Sequence, residues 1–381
     1  MRGQGVAANL LFVVCALFAG SAAAQPVSFS YQGYVKNLAI RSQSLFTSRP
    51  YLLDVNRARG QGFVDVGGRL HGEIWLDSEL LLGSFLRTQD YQFSRSFARP
   101  TLLDLDWTIS ENGRHRLRQE LFRAFATFYD GPLQITVGRQ RVAWGTGFVW
   151  TPTDLLNPID PTAVERDEKA GVDAVHVAVA AGALSRIEAV VAPGRRRDLT
   201  SVAVRGSSHL GEYDVSLMGG VFRKDVVIGA DFAGYLGGAG FRGEWAYTVP
   251  RTGRATLRAV VNTDYNFPGG WYGFVELHHN GPGTRDRRRY DTRALLSGVL
   301  FNVAREYGAV MLTKSLTPLV KASVYTLFNI NDGSGLAGPS VTWSVFQNLE
   351  LALSTYVFYG ANDAEFGAQD NVYFGALQYF F

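Results

Sequence analysis

Val372-Tyr-Phe-Gly-Ala-Leu-Gln-Tyr-Phe-Phe381 ends the chain. Strand side chains alternate, so Tyr373, Gly375, Leu377, Tyr379 and Phe381 share one face, and Phe374, Ala376, Gln378 and Phe380 the other. In water such an end is a liability, because chain termini fray and an unpaired apolar edge templates aggregation. A closed barrel removes the edge. There the last strand pairs with the first, its apolar face meets lipid, and Tyr379 and Phe381 lie where aromatic girdles line the membrane interface.

The other end of the chain agrees with export. Arg2, the apolar run from Leu10 to Ala19 and the small residues Ala22-Ala23-Ala24 have the layout of a signal peptide over residues 1–24. The run is too short to span a bilayer, and Val14 before Cys15 does not suit a lipoprotein. Cys15, the sole cysteine, would leave with this segment, so the mature chain from Gln25 has no disulfide or thiol chemistry.

No Pro/Ser-rich linker or charge block divides the 381 residues, and residues 25–381 read as one all-β unit. The chain is rich in Gly (42), Phe (25) and Tyr (17), as alternating lipid-facing and water-facing strands require. A formal charge of +3 is too small to suggest a nucleic-acid partner.

Alternation recurs along the chain. Residues 27–39 set Val27, Phe29, Tyr31 and Val35 against Ser28, Ser30, Gln32 and Lys36. Residues 255–265 set Leu257, Ala259 and Val261 against Arg258, Asn262 and Asp264. Short connections such as Gly67-Gly68, Asp130-Gly131-Pro132 and Gly237-Gly238 broadly alternate with long ones at 87–113, 144–170, 281–304 and 360–371, with Arg223-Lys224-Asp225 the exception on the long side. The pattern predicts a transmembrane antiparallel β-barrel of about 18 strands, with tight turns at one rim and long loops at the other. Soluble sandwiches alternate too; the decisive point is a long succession of hairpins between a signal segment and an aromatic last strand.

Two features carry a resemblance. The C-terminal alternation ending in Phe381 resembles the insertion signal of bacterial outer-membrane β-barrel proteins, with Tyr373, Leu377, Tyr379 and Phe381 as its elements. Gly138-Arg-Gln-Arg-Val-Ala-Trp-Gly145, opening into a long loop, resembles a feature of porin-like outer-membrane families. The resemblance implies a bacterial outer-membrane location, a setting of lipid and lipopolysaccharide, assembly by the barrel-assembly machinery, and passage of a small hydrophilic solute. Some such families export polysaccharide, and a non-conducting anchor or barrel enzyme is the remaining alternative.

Strict alternation would put Arg139 and Arg141 on the lipid face with Ile135 and Val137, at roughly 2–4 kcal/mol each near the midplane. A bulge at Gly138 would turn both arginines to the lumen; otherwise they have left the hydrocarbon for the headgroup region. The loop at 144–169 is a candidate constriction, with Glu165, Asp167 and Glu168 facing the basic strand, Asp160 as N-cap and a helical turn over 164–169. Further candidate channel-lining residues are Arg123, Arg258, Glu276 and Lys321. Arginines at the constriction would give a mild anion preference.

Enzyme signatures are weak. The six histidines include no His-x-x-x-His pair, and no Gly-x-Ser-x-Gly elbow occurs. Gly238-Ala-Gly240-Phe-Arg-Gly243 has dinucleotide-binding spacing but runs into an alternating strand, so it reads as a turn. No catalytic residue, metal or cofactor is expected. Arg195-Arg196-Arg197 and the run 285–289 are solvated loops or anion sites.

Overall fold

A computed structural model describes residues 26–95, 101–158, 160–165, 168–291 and 302–381. The signal segment and Asp167 lie outside these residues.

The strands in chain order are β1 (Val27–Gln43), β2 (Pro50–Val66), β3 (Leu70–Leu82), β4 (Asp106–Glu111), β5 (His115–Asp130), β6 (Leu133–Gln140) and β7 (Val172–Ala180). They continue as β8 (Arg186–Ala192), β9 (Ser201–Leu210), β10 (Tyr213–Phe222), β11 (Asp225–Leu236), β12 (Ala239–Val249) and β13 (Thr256–Phe267). The series ends with β14 (Trp271–Asn280), β15 (Glu306–Thr317), β16 (Val320–Asn329), β17 (Gly335–Phe346), β18 (Leu349–Tyr359) and β19 (Val372–Phe380). All pair antiparallel with their neighbours, and β1 pairs with β19, so the sheet closes. Short β4 is not a stave: it pairs with the first half of β5, above the point where β6 ends. Eighteen strands therefore complete the circuit, as the alternation predicts.

Closure follows the last strand. Tyr34 to Arg41 pair with Phe380 to Tyr373, and Gly33 exchanges both backbone hydrogen bonds with Phe381 at 2.9 and 3.0 Å. Tyr373, Leu377, Tyr379 and Phe381 all project outward and are exposed. The outer surface is apolar by the same alternation. On β13, Leu257, Val261 and Tyr265 are exposed outside while Val260 and Asn262 are buried inside. Gly237 and Gly238 form a two-residue turn with both φ positive (58° and 84°), the twist-matched hairpin geometry, so the dinucleotide-like spacing is a turn.

Four sequence expectations need correction. β6 ends at Gln140, so the long loop occupies 141–171 and exceeds 144–169. Its described part contains no helix: Asp160 instead accepts from the N–H and hydroxyl of Thr162, closing an Asx-type turn that competes with helix initiation. The connection at 87–113 is not plain loop, since it holds α1 (Gln89–Arg95) and β4.

The bulge at Gly138 is also absent. Pairing runs through Gly138 on both sides without a shift, from Phe125↔Gly138 to Ala124↔Arg139. Gly138 instead has φ 124°, and a Cβ there would meet the Ala124 carbonyl oxygen at 2.3 Å. The true bulge is on β5. Trp75 faces Arg123 and Leu76 faces Leu121, so Phe122 is the extra residue, and both Phe122 and Arg123 reach Trp75 on the inner face.

Candidate functional site

The interior is partitioned by the 141–171 segment, which turns inward where β6 stops. Val142 and Trp144 enter an apolar cluster with Ala174, Val190, Ala203, Met218, Val227 and Ala246, on the walls from β7 to β12. Wall carboxylates then take up the segment's free backbone donors. Glu244 accepts from Thr146 N at 2.6 Å. Glu276 accepts from Phe148, Val149 and Trp150 N at 2.6, 3.0 and 2.8 Å. Trp150 stacks on His278 at 5.0 Å, donates through Nε1 to Asn302, and joins a second apolar cluster that includes Tyr307, Leu327, Leu336 and Phe366.

The segment then returns toward β1 and β2. Glu165 pairs with Lys36 at 2.9 Å and lies bidentate on Arg57 at 3.0 and 2.9 Å. Glu168 pairs with Arg59. Asn157 holds the two ends of the loop together, accepting from Val142 N and donating to the Ala170 carbonyl. Lys169 pairs with Asp154. Burial pushes the Asp154 carboxyl up to about 6 against the pull of Lys169. Burial acts on Glu165 in the same direction, but Arg57 and Lys36 outweigh it and hold that carboxyl below its ordinary value of 4.5.

Open space lies against β1 to β5. One cavity of about 510 Å³ is lined by Phe85, Tyr91, Asp106, Arg116 and Arg118 among others. A narrower one of about 200 Å³ is lined by Tyr34, Lys36, Arg57, Arg59, Glu165 and Glu168. Both include Arg118, Glu120 and Phe122 in their walls, so they adjoin. The walls are strongly charged and nearly self-neutral. Arg59 is bidentate on Asp77, with both contacts at 2.6 Å, Arg57 contacts Glu79 at 2.7 Å, and Arg118 bridges Glu79 and Asp106 at 2.7 Å each. Aromatic rings back the guanidiniums: Arg59 lies 4.0 Å from the Phe122 centroid and Arg123 4.0 Å from that of Trp75. Planar cations on ring faces keep their geometry without being fully enclosed.

The candidate residues fall into different settings. Glu165 and Glu168 line the narrow cavity. Arg123 borders it, with Nη2 donating to the Lys169 carbonyl. Arg139 lines the larger cavity but is held by its partners, bidentate on Asp173 at 2.9 and 3.0 Å and donating to the Leu103 and Leu121 carbonyls. Arg141 is exposed and acts electrostatically on Arg123 and Asp154. Arg258 contacts Asn280 at 3.3 Å, Glu276 is sealed beneath the loop, and Lys321 is exposed beside the β15–β16 turn. Sequence reasoning missed Arg57, Arg59 and Arg118. The signal was present, since Arg57, Arg59 and Gln61 alternate with Ala58, Gly60 and Gly62.

No family model matches the chain, and no curated protein matches it. Solved structures do. The chain is similar to Pseudomonas aeruginosa OpdK with vanillate, at a TM-score of 0.58 and 9% identity, over 93% of this chain and 98% of that one. It is similar to Pseudomonas aeruginosa OccD3 (OpdP) at 0.57 and 9% identity, over 93% and 91% of the two chains. The likeness extends over the whole barrel and concerns its fold.

Proposed function

We propose that this chain is a bacterial outer-membrane channel through which small hydrophilic solutes pass along β1 to β5. The observation that carries the reading is the pair of adjoining polar cavities beside the inward loop, against β1 to β5. A barrel of this size cannot fill its interior with strand side chains alone. Here the loop supplies the filling, and what remains is small, charged and lined by groups held in fixed geometry. The same reading takes the lipid and lipopolysaccharide of the outer membrane as surroundings and the barrel-assembly machinery as the means of insertion.

Selectivity in this reading comes from what the wall leaves uncompensated. Lys36, Arg57, Arg59 and Arg118 are answered by Glu165, Asp77, Glu79, Glu168 and Asp106. Arg141 and Arg123 stand beyond those pairs, and field focusing in a narrow passage enlarges their effect. The expected outcome in planar bilayers is a small single-channel conductance with mild anion preference. Correctly folded protein that carries no current would overturn the channel and leave a plugged barrel or an anchor. Large conductance without selectivity would remove the inward loop as the constriction.

A further inference from the structure

The outer face of the barrel is not apolar throughout. Asn37 on β1 and Asp54 and Asn56 on β2 form a hydrogen-bonded triad there: Asn37 Nδ2 donates to Asp54 Oδ1 at 2.6 Å and to Asn56 Oδ1 at 2.9 Å, and Asn56 Nδ2 donates to Asp54 Oδ1 at 3.1 Å. Inward-facing Lys36, Leu38, Val55 and Arg57 alternate with these residues, which fixes the triad outside. Asp54 Oδ2 receives no hydrogen bond among the described residues.

Its depth follows from the closing strand. Asn37 pairs with Leu377 and Ala39 with Gly375, while Ala39 also faces Asp54. Both rows lie between the exposed rings of Tyr373 and Tyr379. Tyr379 and Phe381 suit one interfacial girdle, and the triad's rows stand two to four residues along β19 from Tyr379, inside the roughly 25 Å apolar band and so at hydrocarbon depth. Hydrocarbon offers no hydrogen bonds to a carboxylate and two amides. Leu377, Leu80 and Leu82 flank the triad on β19 and β3, but along β1 and β2 its outer neighbours Ala39, Ala58 and Gly60 are small and exposed, so another backbone can approach closest there. The outer rows of β7 and β15 are apolar by contrast, as in Val175, Val177 and Val179 or Val310, Leu312 and Leu316.

We infer that the outer face at Asn37, Asp54 and Asn56 docks a second copy of this chain, triad against triad. The triad is chemically self-complementary. Asn37 spends both Nδ2 hydrogens inside the triad, but Asn56 keeps one, and this donor in one copy can serve the free Asp54 oxygen of the other. Two copies inserted with the same orientation also hold their triads at the same depth, which a symmetric contact requires. A lipid chain lacks the donors, and a lipopolysaccharide headgroup lies too far out to supply them. The inference rests on the barrel standing in a bilayer and is independent of whether it conducts.

The test uses the full chain in isolated outer membranes, with Cys15 changed to Ala. Ala58→Cys should give a covalent dimer with a short bis-maleimide, and Ile187→Cys on β8, five strands round the barrel from β2, should not. Adding Asn37→Leu, Asp54→Leu and Asn56→Leu should abolish that dimer while heat-modifiable migration reports a folded barrel. If the triple variant does not fold, the Ala58→Cys result decides alone. No dimer from Ala58→Cys, equal dimer from Ile187→Cys, a cross-link to a different protein, or a dimer undiminished in the folded triple variant would each overturn the inference.

Discussion

Glu276 accepts the backbone N–H of Trp150 at 2.8 Å across 126 residues of chain, and the same carboxylate accepts from Val149 and Phe148. One wall residue thereby satisfies three consecutive donors at the inward tip of the 141–171 segment. Glu276→Ala leaves these donors unmatched, at about 1–3 kcal/mol for each that stays dry. Glu276→Gln is no conservative change either, because an amide NH2 would meet backbone N–H. Both variants should retain heat-modifiable migration and show several-fold larger, noisier conductance, as the tip leaves the wall. Unchanged conductance would mean that the tip does not limit the passage.

The return limb is held by charge. Glu165 lies on Arg57 and Lys36, and Glu168 on Arg59. Replacing both carboxylates by Gln removes two negative charges from the narrow cavity, while Arg57 keeps Glu79 and Arg59 keeps Asp77. Reversal potentials in a salt gradient should move strongly toward anion selectivity. A shift toward cations would show that Glu165 and Glu168 do not face the ion path.

Much of the fold is legible in the chain because period-two alternation dictates which residues face out, and that reading needs no long-range information. Tyr373, Leu377, Tyr379 and Phe381 project outward for this reason. The site is less legible because its contacts join distant segments. Nothing local to Glu276 indicates that it meets Trp150, or that Glu165 meets Arg57 across 108 residues. Nor does alternation anticipate Gly138, whose φ of 124° departs from strand geometry without adding a residue.

Neighbouring arginines should behave differently. Arg139 is bidentate on buried Asp173, so Arg139→Gln strands that carboxylate, at about 3–5 kcal/mol. It should lower the temperature at which the barrel loses its compact migration. Arg141 is exposed, and Arg141→Gln should leave that temperature unchanged while reducing anion preference. The reverse outcome, altered selectivity from Arg139 alone, would show that the Arg139–Asp173 pair in the wall of the larger cavity, and not Arg141, sets the field there.

Phe381 closes the barrel with both of its backbone groups on Gly33, and its ring packs there as well: a Cβ on Gly33 would come within 2.7 Å of it. Deleting Phe381 removes two closing hydrogen bonds and an outward aromatic ring. The yield of heat-modifiable protein in outer membranes should fall sharply. Gly33→Val, which collides with the same ring and with the Arg59 carbonyl oxygen, should produce the same defect. Normal assembly of both variants would separate the last residue from closure.

The loop also carries a titrating group close to the working range. Burial raises Asp154 to about 6, whereas Arg57 and Lys36, acting against burial, keep Glu165 below 4.5. Between about pH 7.5 and about pH 5 Asp154 therefore gains its proton while Glu165 stays ionised, so the loop keeps its attachment to β1 and β2. Protonation deprives Lys169 of its partner and removes the negative charge that offsets Arg141. The passage becomes more positive by about one charge, and anion preference should rise on acidification with a midpoint near 6. Asp154→Asn should show the acid-form selectivity at every pH in this range and flatten the profile. A native profile that is flat, or that moves toward cations as pH falls, would exclude Asp154 as the titrating group.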